Sequence, residues 1–305
     1  FALLLKEIQS DVKRRTSRYF ASICPANGTV RFEEPMVNGG DKRDARSVDR
    51  VQRHPVAAKE LAAGELLWEE AADMAILCAD HTLRCHHCLR PSDSLIPDPK
   101  VEGSLFCSEA CQQAAYASYQ LYLLPINAEA GEALQKLRRH CQQRETVLPL
   151  FLLRYVGMLL TEEIKGNGAS ANGPFAHFDN LPQVYRPVGD DDGREARWIR
   201  SVFTKANENL AEFLTDDIYT AMKATLERNL HLFGPAINAG QVSIKKYRVI
   251  GDSAQPYGLA LFHLAAHLAH AEEPNCQLSV LEGSRLQVHA LRTITAGEPL
   301  TVNYV

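Results

Sequence analysis

Apolar and polar positions divide this chain into a helical middle flanked by alternating ends. Leu3 to Tyr19 carries apolar residues at helical spacing and predicts an N-terminal helix. Residues 24 to 50 are rich in Gly, Asn, Asp and Arg, and "NGGDKRDARS" predicts a loop or linker. Val56 to Leu77, "VAAKELAAGELLWEEAADMAIL", predicts two short strands around a turn at Ala63-Gly64-Glu65. Ser108 to Leu123 predicts a helix. From Ala128 to about Phe233 the period is helical, with four candidates: "EALQKLRRHCQQR", "LPLFLLRYVGMLLTEEI", "REARWIRSVFTKANENLAEFL" and "DDIYTAMKATLERNLHLF". Two loops interrupt them, "GNGASANGP" (Gly166 to Pro174) and "GDDDG" (Gly189 to Gly193). Beyond Gly240 the pattern returns to strands. "VSIKKYRVI" is one, "RLQVHALRTI" alternates Leu286, Val288 and Ala290 against Gln287 and His289, and "LTVNYV" places Leu300, Val302 and Tyr304 on one side. "LAAGELL" and "ITAGEPL" put Gly64 and Gly297 in near-identical turns, expected as two hairpin corners of one β structure.

Composition narrows the class. The chain has 305 residues, 46% hydrophobic and 23% charged, which suits a globular protein with one large core or two smaller ones. A net charge of -4 gives no global sign of nucleic-acid binding. The first 60 residues differ, with 12 Lys or Arg against 8 Asp or Glu. Most of that excess sits in "KRRTSR", Lys13 to Arg18, either a solvated helix face or a basic arm for RNA or an acidic partner. No membrane association is expected: the most apolar run, Leu148 to Leu160, is short and contains Arg154. "FALLL" is too short for a secretory signal and Lys6 follows at once. A chain without an initiator Met is expected to be trimmed or processed, so a removed targeting segment stays open.

The eight cysteines carry the sharpest chemistry. Four are scattered and four form Cys85-x2-Cys88-x18-Cys107-x3-Cys111. Two close thiolate pairs can close a tetrahedron around one Zn²⁺, and four protein ligands leave no open position, so the expected role is structural. A helix starting at the second pair would aim its positive end at the thiolates. The intervening "PSDS" and "PDPKVEG" cannot form much core, so the metal would supply the missing folding energy. His86 and His87 are less natural ligands because they adjoin Cys85. One metal site rather than a disulfide framework points to an intracellular, reducing compartment; mitochondrion, cytoplasm and nucleus are not distinguished.

"CHHC" followed by "FCSEAC" resembles the first and last cysteine pairs of the MYND zinc finger. That family's middle CxxC pair is absent and its later His-x3-Cys reads "YQLYLL", so the resemblance implies one zinc rather than two. A finger placed after "AAGELLWEE" and before a helical block resembles the SET-and-MYND lysine methyltransferases. In that family a SET domain is split by the finger and a helical insert, then resumes with a segment like GLxPxxSLLNHSCxPNC and a final strand ending in tyrosine. "YGLALFHLAAHLAHAEEPNC" (Tyr257 to Cys276) and "LQVHALRTITAGEPLTVNYV" (Leu286 to Val305) fall in those places, and the resemblance spans roughly residues 50 to 305. It implies S-adenosylmethionine as cofactor, with His270 and Asn275 at cofactor-binding positions and Tyr304 at the catalytic tyrosine position.

Three positions depart from that family. Its Asn-His pair reads Ala269-His270, its next Ser-Cys reads Ala271-Glu272, and its Gly-x-Gly opening reads "QRHP", Gln52 to Pro55. The family's cysteine at that second place joins a further zinc with a tail after the SET domain; that tail is not expected here either. Proline fixes φ and lacks an N–H, and side chains crowd a place where only glycine leaves room. His263, His267 and His270 fall at i, i+4 and i+7 and, with Glu272 or Glu273, make a metal site conceivable if the segment is helical.

The expected architecture is α+β: a SET-type β fold split by a MYND-like single-zinc finger and an inserted helical block. Its parts are residues 1–50 (helix and basic arm), 51–80 (first SET strands), 81–125 (zinc module), 126–235 (helical insert) and 236–305 (final SET part). The leading functional expectation is a catalytically degenerate methyltransferase homologue acting as a binding or scaffold subunit. It would have protein partners in a larger assembly, a ribosomal or ribonucleoprotein particle among them, and could reach RNA through the basic arm. The competing expectation is an active S-adenosylmethionine-dependent protein-lysine N-methyltransferase using Tyr304.

Overall fold

The two "AGE" turns organise the β part. In both, a glycine occupies the left-handed region, Gly64 at φ +79° and Gly297 at φ +84°, where a side chain would be strained. The glutamate that follows closes each turn. Glu65 N–H donates to the Ala62 carbonyl and its carboxylate accepts from Ala62 N–H; Glu298 does the same with Thr295. Leu61 and Ile294 then exchange two backbone hydrogen bonds of 2.9 and 3.0 Å. The two turns therefore lie side by side rather than as separate hairpin corners.

This computed structural model describes residues 2–34, 53–78, 83–101, 103–124, 127–203, 213–233, 248–250 and 257–304. The linker "NGGDKRDARS", residues 204–212 and the first six residues of "VSIKKYRVI" lie outside them. Helix α1 (Ala2–Ile23) covers and outruns the predicted one. Strand β1 (Val30–Glu33) pairs antiparallel with β2 (His54–Ala57), with Phe32 opposite Pro55. The stretch predicted to hold two strands contributes to three: the end of β2, then β3 (Leu66–Ala71) and β4 (Met74–Leu77). The break falls at Ala72-Asp73, where the chain leaves one sheet for another: Ala72 N–H donates to Ser284 and Asp73 N–H to Leu261.

The zinc-module region carries a two-residue ladder, β5 (Ile96–Pro97) with β6 (Leu105–Phe106), and then α2 (Glu109–Ser118). The helical block comprises α3 (Ala128–Gln143), α4 (Leu148–Ile164), α5 (Pro174–Asn180), α6 (Asp190–Phe203) and α7 (Asp216–Asn229). Polar side chains set the starts: Ser108, Asn127 and Thr215 accept from the N–H three residues on. Three sequence expectations are corrected here. "GDDDG" is not a solvated loop but contains the first turn of α6. There three acids face the helix's positive end, and Asp192 accepts from Gly189 N–H while pairing with Arg186 and Lys223. The loop ending at Pro174 gives way to α5, which proline opens because its missing N–H costs nothing in a first turn. The helix predicted to run to Phe233 stops at Asn229, whose amide donates to Pro182 and Thr225 carbonyls, and His231–Phe233 becomes strand β7.

Strand β7 pairs with β8 (Arg248–Ile250) and β9 (Gly258–Leu261), and β9 pairs with β4, giving the order β4-β9-β7-β8. A second sheet runs β11 (Cys276–Leu281), β12 (Arg285–Ala290), β3, all antiparallel, with a bulge at Val288/His289. The short β10 (Ala269–His270) lies parallel to β13 (Thr301–Val302). The described residues form two hydrophobic cores, one under the helical block and one inside the β part. Helix α4 is buried almost all round, with Phe151, Leu152 and Tyr155 fully enclosed. Arg154 is tolerated within it because its guanidinium donates to the Ala75 and His86 carbonyls at 2.6 and 3.1 Å and lies 4.6 Å over the Tyr119 ring. Among the described residues no helix is long and apolar enough to cross a membrane.

Candidate cysteine cluster and cofactor seat

Cys85, Cys88, Cys107 and Cys111 converge, with all four sulfurs within 4.8 Å of one another. The Cys88–Cys107 and Cys107–Cys111 sulfurs are 3.7 and 3.5 Å apart. A tetrahedron with metal–sulfur bonds of about 2.3 Å has edges of about 3.8 Å, so the cluster can hold one zinc. Local sequence explains the convergence. Leu89 takes φ +60°, closing a tight knuckle in which its N–H donates to Cys85. Ser108 caps α2 and fixes Cys111 one turn into the helix. The thiols do not ionise alike. A hydrogen bond from Cys88 and several backbone N–H groups lower the Cys85 thiol to about 4. Its hydrogen-bonding partner Cys88 is pushed well above the usual thiol value by that contact, and burial pushes Cys111 to about 11. One thiolate forms readily and its neighbours resist; four need a bound metal. His86 and His87 do not join the sulfurs, and His87 stacks on Tyr119, with Nδ1 3.4 Å from its hydroxyl. The module docks on the β11–β12 turn, where Gly283 at φ +88° brings its backbone against the Cys88 carbonyl.

The predicted cofactor residues gather around the last strand. Leu300 N–H donates to the Pro55 carbonyl, while Ala271 N–H donates to Val302. The chain from Leu300 to Tyr304 thus runs between β2 and the Ala269–His270 segment. His270 is exposed; its Nδ1 accepts from Tyr304 N–H at 3.1 Å, and the two rings stack 6.3 Å apart. The Tyr304 hydroxyl donates to the Ala265 and Leu268 carbonyls at 3.2 and 3.3 Å. Ala269 offers only a methyl group. Asn275 is 2% exposed; its amide donates to Glu298 and the Pro299 carbonyl and its oxygen accepts from Thr301, tying the final strand down.

Pro55 is buried, and β1 pairs along the whole of β2. Arg53 donates to Ser17 and Glu34 and lies 5.6 Å over the Phe20 ring. Phe20 and Phe32 pack 4.3 Å apart, and both meet the buried His267 edge-on at 5.1 and 5.4 Å. Phe20 and Phe32 were not legible as part of this site: a lone Phe in a helix reads as core.

The three histidines expected on one helical face do not share one. The segment is strand β9, a single 3-10 turn (Ala265–His267), then β10. His263 meets Asp73 and His177.

Comparison with known proteins agrees with this layout. The SET domain family matches residues 53–305. The mouse and human proteins named histone-lysine N-methyltransferase SMYD3 are each 21% identical over 253 residues, covering 82% of this chain and 52% of the relative. The zebrafish protein-lysine N-methyltransferase SMYD4 is 27% identical over 93 residues, 25% of this chain and 12% of the relative. The chain thus spans about half the length of the curated SMYD3 relatives it matches.

Proposed function

The chain belongs to the SET-domain family, and from that premise we propose that it is a catalytically degenerate methyltransferase homologue serving as a binding or scaffold subunit of a larger assembly. The observation that supports this most is the state of the opening strand. Where the family resemblance calls for Gly-x-Gly, Pro55 is buried and paired with Phe32, and Phe20 and Phe32 close over His267. With Ala269 in the asparagine position, the methyl donor loses an amide partner as well. S-adenosylmethionine, when bound, supplies an electrophilic methyl group to an amine. Transfer demands close alignment of amine, methyl and sulfur, and this chain's residues do not provide the usual grip. The four thiolates hold one structural zinc that folds the module between them. The exposed basic stretch Lys13 to Arg18, partly balanced by Asp11, is the contact surface for RNA or an acidic protein partner.

Titration calorimetry with S-adenosylmethionine tests the reading. No heat at millimolar cofactor is expected; micromolar binding would overturn it. One feature favours the second reading, an active protein-lysine N-methyltransferase: Tyr304 keeps an ordered hydroxyl bonded to two carbonyls beside His270. Methyl incorporation into protein lysines that disappears in Tyr304→Phe would establish it.

A further inference from the structure

Among the described residues, one other group of side chains besides the cysteine cluster brings metal-ligating atoms together. Asp73 sits in the break between β3 and β4, His177 on α5, and His263 just after β9. His177 Nδ1 lies 3.0 Å from Asp73 Oδ2, and His263 Nε2 lies 3.4 Å from Asp73 Oδ1. One ligand atom from each residue falls within 4.8 Å of the others. The imidazole rings stack with centroids 3.9 Å apart. His177 is fully buried, whereas Asp73 and His263 keep 16% and 22% of their side chains exposed, which leaves a route from solvent. Tyr19 of α1 roofs the pair, its ring 6.1 and 6.2 Å from the two imidazoles and its buried hydroxyl without a hydrogen-bond partner. The second nitrogen of His263, Nδ1, is also buried without one.

We propose that Asp73, His177 and His263 form a second metal site, independent of the cysteines, for a divalent first-row transition ion with zinc as its preferred occupant. Two imidazoles and one carboxylate are a donor set this class of ion accepts, with a water completing four-coordination. The two distances end on different oxygens of Asp73, and one donor atom from each residue lies within 4.8 Å of the others; a tetrahedron with bonds of about 2.0–2.1 Å has edges of about 3.3–3.4 Å, so an ion would draw the three donors together. The electrostatic setting is ready at two of the three groups; at His263 burial lowers the pKa but the hydrogen bond to Asp73 and its charge raise it overall, so an ion would displace a proton there. Burial alone would raise the Asp73 pKa, but hydrogen bonds from His177 and His263 hold it well below the usual carboxylate range, so it is anionic. Burial and the adjacent His263 lower the His177 pKa, favouring the neutral imidazole that ligation needs. The three ligands come from the helical block and from both parts of the split β structure. An ion there would pin α5 to the sheets beneath the N-terminal helix.

The test uses the full chain. It is stripped with chelator and titrated with Co²⁺ while visible and near-ultraviolet absorption are followed. The cysteine cluster should take one equivalent with thiolate charge-transfer bands; a second equivalent should add d–d absorption without raising them. Metal analysis after zinc loading should find His263→Gln and Asp73→Asn short of the parent by one equivalent, with thiolate bands retained. Cys85→Ser should instead lose the thiolate bands and keep the nitrogen–oxygen site. A parent chain that binds no second equivalent overturns the proposal, whatever the variants do. So does a second equivalent retained by both substitutions. Either result would leave His–Asp–His as a hydrogen-bonded brace only.

Discussion

Glu195 sits at the centre of the helical block, 1% exposed, and accepts three hydrogen bonds. They come from His140 Nε2 at 2.8 Å, the Tyr219 hydroxyl at 2.6 Å and Lys223 Nζ at 2.6 Å. Replacing it by alanine removes one anion and takes an acceptor from three donors on α3 and α7. Lys223 keeps Asp192 at 3.0 Å, so its charge is not left alone. Among the described residues, His140 Nε2 and the Tyr219 hydroxyl have no other acceptor. Each charge-assisted bond contributes about 1.5–3 kcal/mol, and each buried donor left bare costs about 1–3 kcal/mol. These terms overlap, and breaking a buried ionic cluster by removing one member costs about 3–5 kcal/mol. At about 2–4 °C per kcal/mol, the Glu195→Ala midpoint should fall by on the order of 10 °C. Glu195→Gln keeps the volume and one acceptor and should lose roughly half as much by the same reasoning. Calorimetry or circular dichroism melting reads both. A Glu195→Ala midpoint within about 2 °C of the parent would refute the idea that this carboxylate organises α3, α6 and α7.

Three other outcomes are expected. Cys85→Ser should remove one equivalent of zinc, and it or chelation should make residues 85–111 sensitive to proteolysis, because the two close cysteine pairs tie that module together. Gly283→Ala should lower stability by roughly 1–3 kcal/mol in urea titration, since a Cβ there forces a left-handed residue and meets the Cys88 carbonyl at 2.9 Å. The Glu298 carboxyl is lowered to about 2 by Arg292, then by Asn275 and Thr295 N–H. Its folded pKa lies below the unfolded one, so its contribution is full above the ordinary carboxylate range and fades as pH falls toward about 2. Urea midpoints across that acid window should drop less steeply in Glu298→Gln than in the parent.

The cysteine module was legible because ligand spacing is local: two short pairs and a serine cap suffice to specify it. The split β fold was legible from chain order and from the repeated turn, though not the pairing of Leu61 with Ile294, which sequence alternation does not encode. Helix α5 and the start of α6 were hidden for a physical reason. Gly-rich and acidic stretches read as loops until a proline at the first turn or a capping carboxylate at the positive helix end reverses the reading. Phe20, Phe32, Asp73 and His177 could not be placed by sequence at all. Each reaches its partners only through long-range contacts, and neither a lone histidine on a short helix nor an aspartate at a strand break carries a spacing signal.

The clasp between Leu61 and Ile294 has a consequence for how such a chain can change over time. Once those backbones are joined, the finger and the helical block are, from the sheet's standpoint, one very long excursion. The entropy of closing such an excursion grows only logarithmically, about 0.6 kcal/mol for each doubling of length. Segments can therefore be lengthened, shortened or exchanged inside it while the sheet stays shut. The catch is held by one glycine and one glutamate on either side.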